Sequence, residues 1–384
     1  MSRHSITQEA LAQALSLRDL TDPAQGHHAM QDLLREVIAA LQGLWHCQVL
    51  VERASPVVTV ADNYDRLHYP PDGAARDARY TRYLDQGTLL RTQTSALVPP
   101  ALRRLAAAPP TDLLLACPGL VYRRDVIDRL HTGEPHQVDL WRIRRGAALG
   151  AADLAGMVEA VAAASAPLRG VRTSPATHPY TRHGLQVDVA DGDGWVEIGE
   201  CGLASPALLA ESGLPADASG LAMGLGLDRL LMLHKGIDDI RLLRSADPRV
   251  AGQMLDLAPY RAISRGPAIR RDLSLAVPAA MTLEEMGDEV RTALGQRARD
   301  VESVRLLGEA EADSLSSSAA ARLGIRPGQK NVLLRLVIRS PERTLTSGEA
   351  NELRDAAYAA LHRGLAHSWA RGAPPPGWPR PRPR

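Results

Sequence analysis

The 384-residue chain contains no phenylalanine and only two lysines, Lys235 and Lys330. Arginine supplies the other 43 of its 45 basic residues. A GC-rich coding sequence favours Arg over Lys and accounts for that deficit better than for the complete loss of Phe. Cysteine is scarce: Cys47, Cys117 and Cys201 lie far apart and match no metal spacing. That excludes a zinc module or a disulfide framework and predicts three small core residues in a reducing compartment. No apolar run approaches the roughly 18 residues of a membrane span, and the opening MSRHSITQEALAQAL lacks a basic-then-apolar export signal. A cytoplasmic location without membrane association is expected. Internal repeats are also missing.

What remains is the composition of an ordinary globular protein, long enough for two or three domains. The net charge of +1 is unevenly distributed. From Pro259 to Arg384 there are 20 basic against 14 acidic residues, a net +6, which leaves −5 for the rest. A basic C-terminal third suits either a solvated surface or a nucleic-acid partner.

Hydrophobic periodicity orders the chain. Met30, Leu33, Leu34, Val37, Ile38 and Leu41 predict a helix over 27–42. An extended stretch follows over 49–60, then a polar loop over 62–86, a short strand at 89–91 and a helix near 98–106. Residues 113–122 form a buried-type strand whose hairpin partner carries the apolar residues Val138, Leu140 and Ile143. A helix over 151–164, strands over 185–189 and 195–201, and a glycine-entered helix over 221–233 complete an α+β domain spanning 1–248, an antiparallel sheet flanked by helices. Proline and glycine cluster in a linker, 249–266. Beyond it the order strand 272–277, helix 282–294, strands 301–307 and 332–339, helix 347–363 reads as a smaller split βαβ domain over 267–366. Thr282 and Glu285 are spaced as a capping box. The Pro/Arg-rich residues 367–384 read as a disordered tail.

Two stretches carry chemistry. VYRRDVIDRLHTGEPHQVDLW (121–141) sets paired arginines on one strand opposite His136, Gln137 and Asp139 on the next. That arrangement suits a ligand that is anionic at one end and an ammonium at the other, such as ATP with an amino acid. SGLAMGLGLDRLLML (219–233) brings glycines, which allow close backbone approach, just ahead of Arg229. An arginine there can stack on a base or fork onto phosphate.

Together these stretches resemble motifs 2 and 3 of the class II aminoacyl-tRNA synthetases, and of phenylalanyl-tRNA synthetase in particular. LLRTQTSALV (89–98), HPYTRHGLQVDV (178–189), GWVEIGECGLASP (194–206) and the block from RRDLSLAV (270–277) through residues 324–355 resemble further segments of that family in the same order. The resemblance covers roughly 15–365. It implies a class II core followed by a ferredoxin-like anticodon-binding domain that would meet tRNA, in one polypeptide like the single-chain organellar enzymes, as a monomer or homodimer. It implies ATP and Mg²⁺ as cofactors. It matches Arg123 to the arginine on the α-phosphate, Asp125 to the acidic residue after it, His131 to the triphosphate histidine, Arg229 to the motif 3 arginine and Glu197 to the carboxylate serving Mg²⁺ and ATP. Gln137 and Asp139, with Ser95 beside them, match the ammonium-binding residues. Gln93 stands for a histidine, and His178 and Tyr180 for two phenylalanines of the side-chain pocket.

The chain also departs from the family. Pro135 replaces an adenine-stacking ring, Arg182 a glutamate and Gln186 a second glutamate. His178 makes one pocket wall polar, so tyrosine, a hydroxylated phenylalanine analogue or a smaller amino acid are all open as substrates. The alternatives to an active synthetase are a paralogue that loads another acceptor, or a non-catalytic sensor or tRNA-binding regulator. No N-terminal coiled-coil arm and no editing domain are expected.

Overall fold

A computed structural model describes residues 5–263 and 266–367, so the expected disordered tail, apart from His367, lies outside the described residues. The chain divides into two compact units. One comprises Met1–Arg123, Glu134–Leu243 and Arg249–Arg261, the other Arg124–Gly133, Arg244–Pro248 and Ala262–Arg384.

The elements run in the order α1 (Gln8–Leu15), α2 (Ala29–Trp45), β1 (Gln48–Val51), β2 (Val57–Thr59), a single turn α3 (Val60–Asn63), β3 (Thr88–Leu90), α4 (Val98–Leu105), β4 (Asp112–Leu120), β5 (His136–Arg145), α5 (Ala151–Ser165), β6 (Val171–Pro175), β7 (Thr181–Asp191), β8 (Gly194–Ala204), α6 (Pro206–Glu211), β9 (Ala218–Gly226), α7 (Leu227–Lys235) and a turn α8 (Pro248–Ala251). The main sheet has the order β1-β4-β5-β9-β8-β7-β6. β1 pairs parallel to β4, and every other neighbouring pair is antiparallel. On one side Leu113, Leu115, Cys117, Trp141 and Ile143 pack with α4 and α6. Side chains alternate across a strand, so Leu114, Ala116, Val138 and Leu140 point to the other side. Both sets are buried, as expected of strands covered on both faces. α2 buries Met30, Leu33, Leu34, Val37 and Leu41, the stripe its periodicity predicts. The three cysteines are free and buried, as expected.

One element differs from the sequence reading. The helix expected over 221–233 begins only at Leu227, and Ala218–Gly226 is strand β9 between β5 and β8. Glycine is disfavoured in strands for lack of a side chain to pack, yet here close packing requires it. A Cβ on Gly220 would lie 3.0 Å from the Arg142 carbonyl and 3.0 Å from the Ala204 Cβ. The strand β6, helices α1 and α6, and a helix at Ser317–Leu323 are additions to the sequence reading.

In the second unit β10 (Ile269–Pro278), α9 (Leu283–Leu294), β11 (Val301–Glu311), α10 (Ser317–Leu323), β12 (Gln329–Ile338) and α11 (Ser347–Leu361) follow one another. Their sheet has three strands, ordered β10-β12-β11, one fewer than a complete split βαβ sheet. Leu273, Leu275, Val290, Leu334, Leu336, Leu353 and Leu361 share its core. The capping box is present: Thr282 Oγ1 accepts from Glu285 N, and Glu285 Oε2 accepts from Thr282 N at 2.9 Å. Thr282→Ala is expected to cost about 0.5–2 kcal/mol, read as a lower urea midpoint. Residues 124–133 belong to this unit. Ile127 joins its core, the Arg291 guanidinium donates to the carbonyls of Asp125 and Val126, and Arg124 pairs with Asp288 at 3.2 Å. Gly287 makes room for the segment, since a Cβ there would meet the Asp125 carbonyl at 2.7 Å.

Candidate functional site

The strand register of the first unit places site residues in rows. Asp139 on β5 lies opposite Gly224 on β9, which lies opposite Glu200 on β8. One step along, Trp141, Ala222 and Gly202 form the next row. The residue between the two carboxylates is thus a glycine, and its neighbour an alanine. A Cβ on Gly224 would sit 3.9 Å from Asp139 Oδ2. The missing side chains leave a depression lined by His178, Tyr180, Thr181, Glu200, Cys201, Ala222, Met223 and Gly224.

Asp139 lies beside this depression, next to Gly224. Ser95 Oγ donates to its carboxylate at 2.9 Å, Thr94 Oγ1 at 2.9 Å and Trp141 Nε1 at 3.2 Å. Ser95 and Thr94 arrive on the short turn Thr94–Leu97 that follows β3. Burial raises the Asp139 pKa, although the Trp141, Thr94 and Ser95 hydrogen bonds pull the other way. A buried carboxylate held in its charged form requires a cation, and a substrate ammonium is such a cation. Gln137, half-buried on the same strand, stands opposite Gly226. Gln93 is held by Tyr69, whose hydroxyl donates to Gln93 Oε1 at 3.0 Å, and Gln93 Nε2 donates to the Asn63 carbonyl.

His178 and Glu200 line the depression itself. His178 Nε2 and Glu200 Oε2 are 2.6 Å apart. The Glu200 hydrogen bond raises the His178 pKa against opposing burial, and Asp139 and Glu197 add to the rise. Tyr180 is buried, its ring 6.0 Å from Trp141 in a stacked arrangement and 5.5 Å from His178, and burial drives its pKa well up.

Arg123, Arg229 and Glu197 form a second group. Glu197 is opposite Asp188 where the β7–β8 register shifts, and such a bulge re-aims a side chain. Burial raises the Glu197 pKa. Arg229 and Arg123 oppose the rise, whereas Glu200 and Asp188 reinforce it, so the two arginines and three carboxylates share one electrostatic field. Arg123 Nε donates to the Thr92 carbonyl at 2.7 Å, and Arg229 Nη1 to the Glu197 carbonyl at 3.3 Å. Asp228, in the first turn of α7, accepts from the backbone and Nδ1 of buried His136, which pins the start of the Arg229 helix to β5. Asp125 and His131 lie in the second unit. The Asp125 carboxylate accepts from Val126 N, and His131 Nδ1 sits 2.8 Å from both Asp128 oxygens.

Sequence reasoning missed Thr94, Trp141, Glu200 and Thr181. Thr94 adjoins Ser95, but its bond to Asp139 depends on a turn that residue spacing does not announce. Trp141 is two residues from Asp139 and so shares its strand face, a signal that was available. Pro135 uses its carbonyl to accept from Val121 N at 2.9 Å, extending the hairpin. Arg182 is exposed.

An antiparallel sheet with flanking helices, bearing this row of residues, has the architecture of a class II aminoacyl-tRNA synthetase core. The family described as tRNA synthetases class II core domain (F) matches residues 16–254, and the chain belongs to that family. The alpha subunit of phenylalanine--tRNA ligase from Prochlorococcus marinus (strain MIT 9313) is 36% identical over 241 residues, covering 61% of this chain and 69% of that protein. The corresponding subunit from Bacillus subtilis (strain 168) is 31% identical over 242 residues, covering 59% and 68%. A solved pyrrolysyl-tRNA synthetase from Desulfitobacterium hafniense shares 17% identity at a TM-score of 0.45, covering 66% of this chain and 82% of that one, too distant to carry an argument. Among the described residues no helix is long and apolar enough to cross a membrane.

Proposed function

We propose that the chain activates an amino acid with ATP to an aminoacyl-adenylate and transfers the acyl group to tRNA. The observation that carries this reading is the buried Asp139 carboxylate, caged by Thr94, Ser95 and Trp141, in the same unit as the Arg123–Glu197–Arg229 group. One end fits an ammonium, and the other fits a triphosphate.

In the first step a substrate carboxylate oxygen forms a bond to the α-phosphorus as the bond to the bridging oxygen breaks and pyrophosphate leaves. Arg123 and Arg229 offset charge on the phosphoryl oxygens, and the Asp139 end fixes the amino acid, so positioning and electrostatics carry the rate. In the second step a ribose hydroxyl of tRNA attacks the carbonyl carbon, and AMP leaves. Mg²⁺ binds ATP enzymes through one or two carboxylates plus substrate phosphates. Glu197 fits that role: burial raises its pKa, Glu200 and Asp188 add to the rise, and a cation beside these carboxylates would relieve their repulsion. Mg²⁺ would neutralise phosphate charge there. Among the described residues no cluster of three or more acidic, His or Cys ligands stands ready to hold a metal, which agrees with a metal that arrives with the nucleotide.

The second unit, which carries most of the basic C-terminal third, is assigned to tRNA. A cytoplasmic location accompanies this function. Amino-acid-dependent ATP–pyrophosphate exchange across the twenty amino acids tests the reading: exchange with at least one supports it, and silence with all of them overturns it. Filter binding of tRNA at low salt tests the second unit separately, with salt-sensitive retention expected.

A further inference from the structure

We infer that the side-chain pocket selects an amino acid whose side chain ends in a neutral group that both donates and accepts hydrogen bonds, a hydroxyl, phenol or primary amide, and that His178, Thr181 and Glu200 set this choice. The inference deepens the proposed function and rests on its assignment of Asp139 to the substrate ammonium.

Three observations converge on the end of the depression away from Asp139. His178 and Glu200, 2.6 Å apart, place a hydrogen-bonding pair in its wall. An unsubstituted phenyl ring there could satisfy neither of them and would cover both. The Thr181 hydroxyl is buried and has no hydrogen-bond partner within the protein, although Thr181 borders the same depression. Buried hydroxyls are nearly always hydrogen-bonded, so one left open beside a ligand site marks a group that a ligand completes. Finally, the backbone is shaped to hold Thr181 there. β7 carries an extra residue between Arg182 and Leu185, with His183 at φ +51°, a conformation unfavourable for a side chain of that size. Across the strand pair Gly202 admits Thr181 closely, since a Cβ on Gly202 would lie 2.8 Å from the Thr181 Cβ. A bulge and a glycine thus bring an unpaired hydroxyl to the wall that the His178–Glu200 pair already makes polar. A ligand hydroxyl or amide can donate to Glu200 and accept from Thr181 or His178. Asp139, in the same strand row as Glu200 but two strands away, holds the other end of the same amino acid.

A site built to hydrogen-bond a substrate group rejects the analogue lacking it strongly, by up to about 10⁴–10⁵-fold. Here the expected minimum is about tenfold. Isothermal titration calorimetry on the full chain without ATP, with Phe, Tyr, Ser, Thr, Asn and Gln as titrants, reads the pocket independently of catalysis. At least one polar titrant is expected to bind about tenfold more tightly than Phe. Thr181→Val, which keeps the shape and removes the hydroxyl, is expected to weaken that titrant about fivefold or more while leaving Phe unchanged. His178→Phe is expected to move the ratio toward Phe by about tenfold. Phe binding as tightly as every polar titrant overturns the inference, as does a Thr181→Val protein with an unchanged ratio or a wild-type protein that binds none of the six. Thermal melts of both variants check folding, and Thr181→Val keeps the test open if His178→Phe does not fold. A polar preference in calorimetry without pyrophosphate exchange would instead refute the proposed function and leave the pocket chemistry standing.

Discussion

Arg123→Ala is expected to lower amino-acid-dependent pyrophosphate exchange by about 10²–10³-fold, the usual cost of removing one preorganised donor to a developing oxyanion. The side chain is half-buried, and its Nε is fixed by the Thr92 carbonyl, which leaves the guanidinium oriented before any ligand arrives. Its field, with that of Arg229, already acts on Glu197. Arg123→Lys is expected to recover little of the loss, because a point ammonium cannot hold the Thr92 carbonyl and fork onto a phosphoryl group together. The loss should appear in kcat more than in the KM for the amino acid, since Asp139, Ser95 and Thr94 remain in place. A variant exchanging at wild-type rate would remove Arg123 from the phosphate site. The split between kcat and KM distinguishes a lost phosphate contact from general loosening of the fold, which would raise both KM values.

Much of this arrangement was legible in the sequence because it is encoded locally. The hairpin of 113–122 with the strand carrying Val138, Leu140 and Ile143 was readable from apolar patterning, and β4 and β5 pair antiparallel as expected. Helix α2 and the Thr282–Glu285 box were written in spacing alone. The failures share one physical cause: residues whose state is set by neighbours distant in sequence. ASGLAMGLG scans as a helix entry because glycines precede LDRLLML, yet pairing on both edges with β5 and β8 makes it strand β9. Tertiary context overrides propensity here. The Glu200 partner of His178 and the orphan hydroxyl of Thr181 depend on two β-bulges, and bulges leave little trace in composition. The placement of 124–133 within the second unit follows from Ile127, Arg291 and Gly287 acting together, and no one of these is conspicuous alone.

Asp139→Asn is expected to weaken amino-acid binding by roughly 10²–10³-fold, the equivalent of the roughly 3–5 kcal/mol associated with removing one partner of a buried charge pair. The same substitution gives a second readout in the ligand-free protein. Burial raises the Asp139 pKa above that of an unfolded aspartate. Below the ordinary carboxylate range both states hold the proton, so the group contributes no slope. Between the ordinary value and the raised one, the folded state binds the proton more tightly, and stability must fall as pH rises. Above the raised value both states are ionised, and the full burial penalty is present. Urea midpoints measured across that window should therefore fall with rising pH more steeply in wild type than in Asp139→Asn. The difference isolates Asp139 from Glu197 and Glu289, whose pKa values burial also raises. Saturating a tightly binding amino acid should flatten the wild-type slope, because its ammonium stabilises the carboxylate that the empty fold disfavours. Identical slopes in wild type and variant would show that Ser95, Thr94 and Trp141 alone satisfy the charge, and the ammonium assignment would then lose its electrostatic basis.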